Sequence, residues 1–108
     1  MKVTQKQSQV FKRDGLNGWN YKLPTIENGV SVVFNKLTGT HEQRTTDDRA
    51  RIYFIISGEG IYKINDMEEQ AKQNDVVVIP PHSTFNFWAI NKTTLKCVLF
   101  TKLLDIPK

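Results

Sequence analysis

Apolar residues along this chain fall in short runs separated by clusters of Gly, Pro, Asn and Asp, and no stretch of useful length repeats with a helical period. Ile52–Ser57 is the clearest strand pattern. Ile61–Ile64 is expected to pair with it as a hairpin across Gly58-Glu59-Gly60, where glycine permits positive φ. Val76–Ile79 is wholly apolar and β-branched, the composition of a strand buried on both faces. Thr84–Ile90 alternates, with Phe85, Phe87 and Ala89 on one face and Asn86, Trp88 and Ile90 on the other. Trp19–Leu23, Val30–Leu37, Glu68–Lys72 and Leu95–Thr101 complete the set of predicted strands. Val3–Phe11 reads as a polar lead-in, and Thr40–Ala50 as a strand end plus a loop, with room for one helical turn over Thr46–Arg51. Leu103–Lys108 trails off. The expectation is an all-β barrel or sandwich forming one domain over residues 1–108, with a lead-in at 1–16 and a barrel core over about 19–102.

A chain of 108 residues buries enough surface for a core of its own. Its net charge of +4 is spread along the sequence: only Lys12 and Arg13 are adjacent, so no basic stripe tracks a phosphate backbone and no nucleic-acid partner is expected. Cys97 is the only cysteine and sits in the apolar run Leu95–Phe100, which makes it a small buried hydrophobe and excludes an intrachain disulfide. The N-terminus lacks an apolar signal core, and no run approaches the roughly 20 residues of a membrane span. A soluble cytoplasmic protein is expected, with no membrane partner.

Two stretches carry a family resemblance. Gly39, five residues, Thr45-x-Asp47, three residues, Arg51, six residues and Gly58 follow the spacing of the first cupin motif, Gly-(five)-His-x-His-(three or four)-Glu-(six)-Gly. Asn74, five residues, Pro80-Pro81-His82, two residues, Phe85, three residues and Ala89 follow the second, Gly-(five)-Pro-x-Gly-(two)-His-(three)-Asn. Over residues 30–101 the chain thus resembles the cupin superfamily, which implies a jelly-roll-like β-barrel. The glycines of the first motif and the proline of the second hold their places, whereas every metal-ligand position differs. With the longer gap the His-x-His pair falls on Arg44 and Thr46, again without histidine.

Ligand chemistry then argues against a metal. Thr45 and Phe85 are not strong donors, Arg51 is a permanent cation that repels a divalent ion, and Asp47 alone is a poor site. His41 and His82 lie outside the ligand positions and are expected in surface or loop settings; the remaining metal reading is an unorthodox site of His41, His82 and Asp47. No cofactor is expected.

The family geometry implies that Thr45, Asp47, Arg51, Tyr53, Ile55, Phe85 and Phe87 face the barrel interior. Such a mixture of apolar surface and a few polar groups suits a small-molecule ligand. A buried guanidinium needs compensation, and Arg51 has three routes: an ion pair with Asp47, exposure at the barrel mouth, or a bound anion. Phe85, Phe87 and Trp88 serve either as core or as a ligand cage. His82 stands where the motif has a turn glycine, so either the turn differs or the imidazole sits at the cavity rim. The expected function is metal-free binding of a small ligand, anionic or sugar-like, by Thr45, Asp47, Arg51, Tyr53, His82, Phe85 and Phe87. The alternative is a metal-independent isomerase, epimerase or lyase using His82 or Tyr53, with Arg51 holding an anionic group. Exposed strand edges, the apolar Trp19 and Tyr21, and the habit of small cupins together imply a homodimer.

Overall fold

In the computed structural model, which describes residues 2–23 and 31–101, the chain folds as two antiparallel sheets facing each other. A short 3-10 helix at Gln5–Gln7 precedes β1 (Gln9–Arg13), β2 (Leu16–Lys22), β3 (Ser31–Leu37), β4 (Thr40–Thr45) and β5 (Arg51–Ser57). Then come β6 (Glu59–Ile64), β7 (Met67–Lys72), β8 (Val76–Ile79), β9 (Thr84–Ala89) and β10 (Leu95–Thr101). The larger sheet has the order β1-β2-β3-β10-β5-β8 and the smaller β4-β9-β6-β7. This is the all-β fold that the turn spacing and strand patterns imply, in the jelly-roll-like form that the cupin resemblance implies. Val30 and Leu103–Lys108, assigned above to a strand and a tail, lie outside the described residues.

Strand alternation puts the core between the sheets. Tyr53 and Ile55 of β5, Tyr62 of β6, Phe85 and Phe87 of β9, Cys97 of β10, Leu37 and Ile79 are all essentially buried. Cys97 is the enclosed hydrophobe its context implies, its thiol pushed up to about 11 by burial.

Four expectations are corrected. First, β5 and β6 do not form a hairpin: β5 bonds to β10 and β8, whereas β6 bonds to β7 and β9 in the other sheet. Gly58 makes the crossing possible, with φ +84 and so little space that an added Cβ would sit 2.2 Å from the Thr94 carbonyl oxygen. Second, Val76–Ile79 is buried on one face only; Val76 and Val78 are 57% and 52% exposed. It belongs to an antiparallel sheet that is packed on one face only, so its outer face stays exposed. Third, the lead-in contains β1, which pairs along its whole length with β2 from Gln9↔Asn20 to Arg13↔Leu16. Fourth, residues 46–50 form no helical turn. Thr46 is instead buried, its hydroxyl donating to the Pro80 carbonyl at 2.7 Å and accepting from the Ser83 amide at 2.9 Å, which ties the end of β4 to the β8–β9 turn.

The β9–β10 connection contains a two-residue turn, with Asn91 and Lys92 both at φ +56 and the Thr93 amide donating to the Ile90 carbonyl at 3.1 Å. Such a turn needs the left-handed region at both central residues, which asparagine tolerates and lysine resists. Lys92→Gly is expected to stabilise the fold by about 0.5–1 kcal/mol, raising the melting temperature by roughly 3–6 °C. A thermal melt showing no gain would contradict this strain.

Candidate binding cavity

A cavity of about 490 Å³ opens between the sheets at the β1 side. Its floor is the inner face of the larger sheet. The register aligns Asn20, Val33, Leu99 and Tyr53 in one row across β2, β3, β10 and β5. Phe11 closes one wall by lying over Gly18, where an added Cβ would meet the ring at 2.0 Å. The opposite wall is β4, which contributes His41 and Arg44.

That wall depends on a break in alternation. β4 pairs His41 with Phe87 and Arg44 with Phe85, three residues on one strand against two on the other. This bulge reverses the parity of everything after it. Without it, residues 43 and 45 would share the inward face with His41; with it, Arg44 lines the cavity and Thr46 is buried. These are the pair given by the longer-gap reading of the motif. Thr45 is consequently exposed, its hydroxyl 3.3 Å from that of Thr84, which corrects its expected inward orientation.

Asp47 and His82 are displaced for a related reason. They lie at the end of the sandwich, where the His82 amide donates to the Asp47 carbonyl at 2.9 Å, and both are exposed. Asp47 pairs with Arg49, not with Arg51, and that pairing holds its carboxyl down to about 2. His82 takes φ +55 at the position of the motif glycine, so the turn retains its left-handed geometry and the imidazole does not line the cavity. Phe85 and Phe87 are completely enclosed as core.

Arg51 and Tyr53, in contrast, both line the cavity. The Arg51 guanidinium lies 5.3 Å from the centroid of Phe85, a cation–π arrangement, and no described carboxylate lies within ion-pair distance of it. Tyr53 is buried, which pushes its hydroxyl up to about 12 despite the neighbouring Arg51 charge. Two further cations that the sequence reading did not place among the site residues line the cavity. Arg13 and Arg44 share the Glu42 carboxylate at 3.1 and 2.6 Å. Three guanidiniums against one carboxylate leave this region positive by two charges. Asn20 adds a buried Oδ1 with no hydrogen-bond partner among the described residues, and Asn35 is a buried polar wall residue.

His41 is the largest revision. It is not a surface residue but is 7% exposed, stacked 4.5 Å from Phe87 and 5.9 Å from Phe85. Its Nδ1 lies 2.7 Å from the Glu42 backbone carbonyl. A carbonyl only accepts, so Nδ1 carries the proton and Nε2 of the neutral ring keeps its lone pair. Burial lowers the pKa, reinforced by the charges of Arg51, Arg13 and Arg44 and opposed by the Glu42 carbonyl. A strand reading of residues 40–45 with strict alternation would have turned His41 inward; the polar sequence around it hid that strand.

This donor set does not fit a metal. One neutral imidazole faces three cations, and no group of three or more His, Cys, Asp or Glu is placed to hold an ion among the described residues. The unorthodox trio is divided, with His41 buried between the sheets and Asp47 and His82 exposed at the end.

Comparison with known proteins agrees with the architecture. A family model described as the AraC-like ligand binding domain matches residues 27–102. No curated protein sequence matches the chain. Among solved structures, a histidine variant of Streptomyces Pac13 with uridine is similar with TM-score 0.78 and 21% identity, over 92% of this chain and 78% of that one. Pac13 is described as a unique nucleoside dehydratase. The cupin domain of Schizosaccharomyces pombe Cnp3 gives TM-score 0.75 at 12% identity, covering 96% of this chain and 76% of the other. A Thermotoga maritima protein described as a predicted oxalate decarboxylase gives TM-score 0.75 at 18% identity, over 93% and 96%. At such identities these likenesses establish the cupin fold and nothing finer.

The lowered pKa of His41 has a thermodynamic consequence. The unfolded chain binds this proton near pH 6.5 and the folded chain only at lower pH. The contribution to stability is therefore intact above about pH 6.5 and is lost as pH falls below it. Urea unfolding from neutral to mildly acidic pH should show a smaller decline in His41→Asn than in the wild type. Equal declines would contradict a buried neutral imidazole.

Proposed function

Because the chain belongs to the AraC-like ligand-binding domain family, we propose that residues 1–108 form a metal-free domain that holds a small organic anion in the cavity between its sheets. The observation that carries this is Arg51: a half-buried cavity cation with no carboxylate partner among the described residues. Leaving a guanidinium partly desolvated costs free energy that an anionic ligand recovers through paired N–H···O bonds. Arg13 and Arg44 add positive potential, Asn20 offers a buried acceptor to a ligand N–H or O–H, and Phe11, Val33 and Leu99 supply apolar contact. Of the residues named from sequence, Arg51 and Tyr53 stay in the proposed site. Thr45, Asp47 and His82 face elsewhere, and Phe85 and Phe87 support the site from behind. No helix among the described residues is long and apolar enough to cross a membrane, and a cytoplasmic setting remains part of the proposal.

His41 favours a second reading, metal-independent acid–base chemistry of the isomerase, epimerase or lyase kind. A neutral imidazole with an unprotonated Nε2 is a general base, and a tyrosine hydroxyl that stays protonated at neutral pH is a general acid. In that reading His41 replaces His82 as the base. His41 takes a proton from carbon beside an electron-withdrawing group of the anion, and the Tyr53 hydroxyl returns one to carbon or to a departing oxygen.

A thermal-shift screen of carboxylates, phosphate monoesters and nucleosides tests the binding reading. At a hundredfold excess over Kd, a ligand that binds only the folded state contributes about 2.7 kcal/mol. An anion from the panel should raise the melting temperature of the wild type and raise that of Arg51→Met by clearly less. Equal shifts in the two proteins would remove Arg51 from the site. If the bound anion is also turned over, His41→Asn should abolish turnover while keeping most of the shift. Elemental analysis of protein purified without chelator should find no stoichiometric transition metal, and one equivalent per chain would overturn the metal-free assignment.

A further inference from the structure

Among the described residues, Glu42 is the one carboxylate that pairs with cations of the cavity lining. Arg44 Nη2 lies 2.6 Å and Arg13 Nη1 3.1 Å from the same oxygen, Oε1. Each guanidinium reaches it through a single nitrogen, so neither planar fork is filled. All three side chains are close to half exposed, a setting in which ion pairs hold only weakly against water. Arg44 is also a neighbour of Arg51 through Phe85. β4 pairs Arg44 with Phe85, and the Arg51 guanidinium lies 5.3 Å from the centroid of that ring. Both arginines line the cavity, and the charges of both bear on the Tyr53 hydroxyl.

We propose that the Glu42 carboxylate is a built-in competitor for the ligand, and that a phosphate group held by Arg51 takes Arg44 from it. This rests on the anion-binding reading of the cavity and names the class of anion, a phosphate monoester. A carboxylate has two oxygens, enough for one guanidinium fork, and Arg51 alone satisfies it. A phosphate monoester has three terminal oxygens and close to two negative charges at neutral pH, so it serves two forks. Arg13, Arg44 and Arg51 against Glu42 leave two positive charges, which such a dianion neutralises.

The exchange strands no charge. Arg44 gives up one contact with Glu42 and gains paired N–H···O bonds to the phosphate. Glu42 keeps Arg13, and its half-exposed carboxylate remains solvated. Before the exchange, the same carboxylate offsets the mutual repulsion of three guanidiniums gathered at one cavity. A monocarboxylate meets Arg51 and leaves Glu42 its two partners. Glu42 therefore sets a threshold that the more highly charged anion passes.

Calorimetric titration with phenyl phosphate and with benzoate, one ring carrying two anionic groups, tests this. The wild type should bind phenyl phosphate more tightly than benzoate. Glu42→Gln keeps the backbone carbonyl that holds His41; it should tighten phenyl phosphate about three- to fivefold and benzoate by less. Glu68→Gln, an exposed position on β7, makes the same change in net charge and should alter neither. In an Arg44→Met background the gain from Glu42→Gln should shrink, as coupling through Arg44 requires. Glu42 and Arg44 are exposed, so circular dichroism should show the fold retained in every variant. Unchanged or weaker phenyl phosphate binding in Glu42→Gln overturns the proposal, as does an equal gain without Arg44 or from Glu68→Gln. Benzoate bound as tightly as phenyl phosphate, and lost in Arg51→Met, overturns it while leaving the anion-binding reading in place. Binding of neither compound to either protein overturns both.

Discussion

In the larger sheet, side-chain alternation couples what happens on one face to what happens on the other. The inward row Asn20–Val33–Leu99–Tyr53–Val77 has the outward row Trp19–Phe34–Val98–Phe54–Val76 one residue away on each strand. A one-residue slip would exchange two faces of similar hydrophobicity, so hydrophobicity specifies this register only weakly. The polar members do more. Asn35 and Ser31 are buried on the inner side, and Lys36 and Lys96 stay on the outer one. A slip would enclose the two ammonium groups and turn the two buried polar groups out, which is far costlier than any rearrangement of valines. The polar groups that shape the cavity floor are thus the groups that hold the strands in place.

The bulge in β4 solves a different problem. A continuous strand facing Phe85 and Phe87 would alternate regularly and present the cavity with His41 and residues 43 and 45, an array without a cation. One extra residue substitutes Arg44 and turns Thr45 out. It also brings Arg44 beside Glu42, which Arg13 reaches from β1 in the opposite sheet. Exposed ion pairs of this kind are worth little in stability. Their value here lies in position, because they hold two guanidiniums near the cavity while Arg51 remains available to a ligand.

Much of this was legible in the sequence, and what was not has identifiable physical causes. The glycines and proline of the motif frame marked the fold because backbone geometry constrains those positions directly. Arg51 and Tyr53 were found because β5 alternates without interruption from a recognisable start. Thr45 was misplaced because a bulge leaves no mark in a polar strand, where either parity is chemically acceptable. His41 was assigned to the surface because its burial is created by Phe85 and Phe87, more than forty positions away. Val76–Ile79 was read as doubly buried because an apolar strand with an uncovered face and one at the centre of a core have the same composition. The apparent hairpin at Gly58 failed similarly: two adjacent strands and a glycine turn do not say whether the second strand stays in the first one's sheet.

β1 gives the cavity a property that its contents alone do not. It is an edge strand, hydrogen-bonded to β2 and to no other strand among the described residues, and it carries Gln9, Phe11 and Arg13 of the cavity lining. Edge strands open locally at a free energy well below that of global unfolding. Each such opening would lift Phe11 off Gly18 and draw Arg13 away from Glu42, uncovering the interior. A bound molecule that touches Arg13 would hold the edge strand closed, so occupancy of the cavity would be recorded as slower amide exchange along residues 9–13.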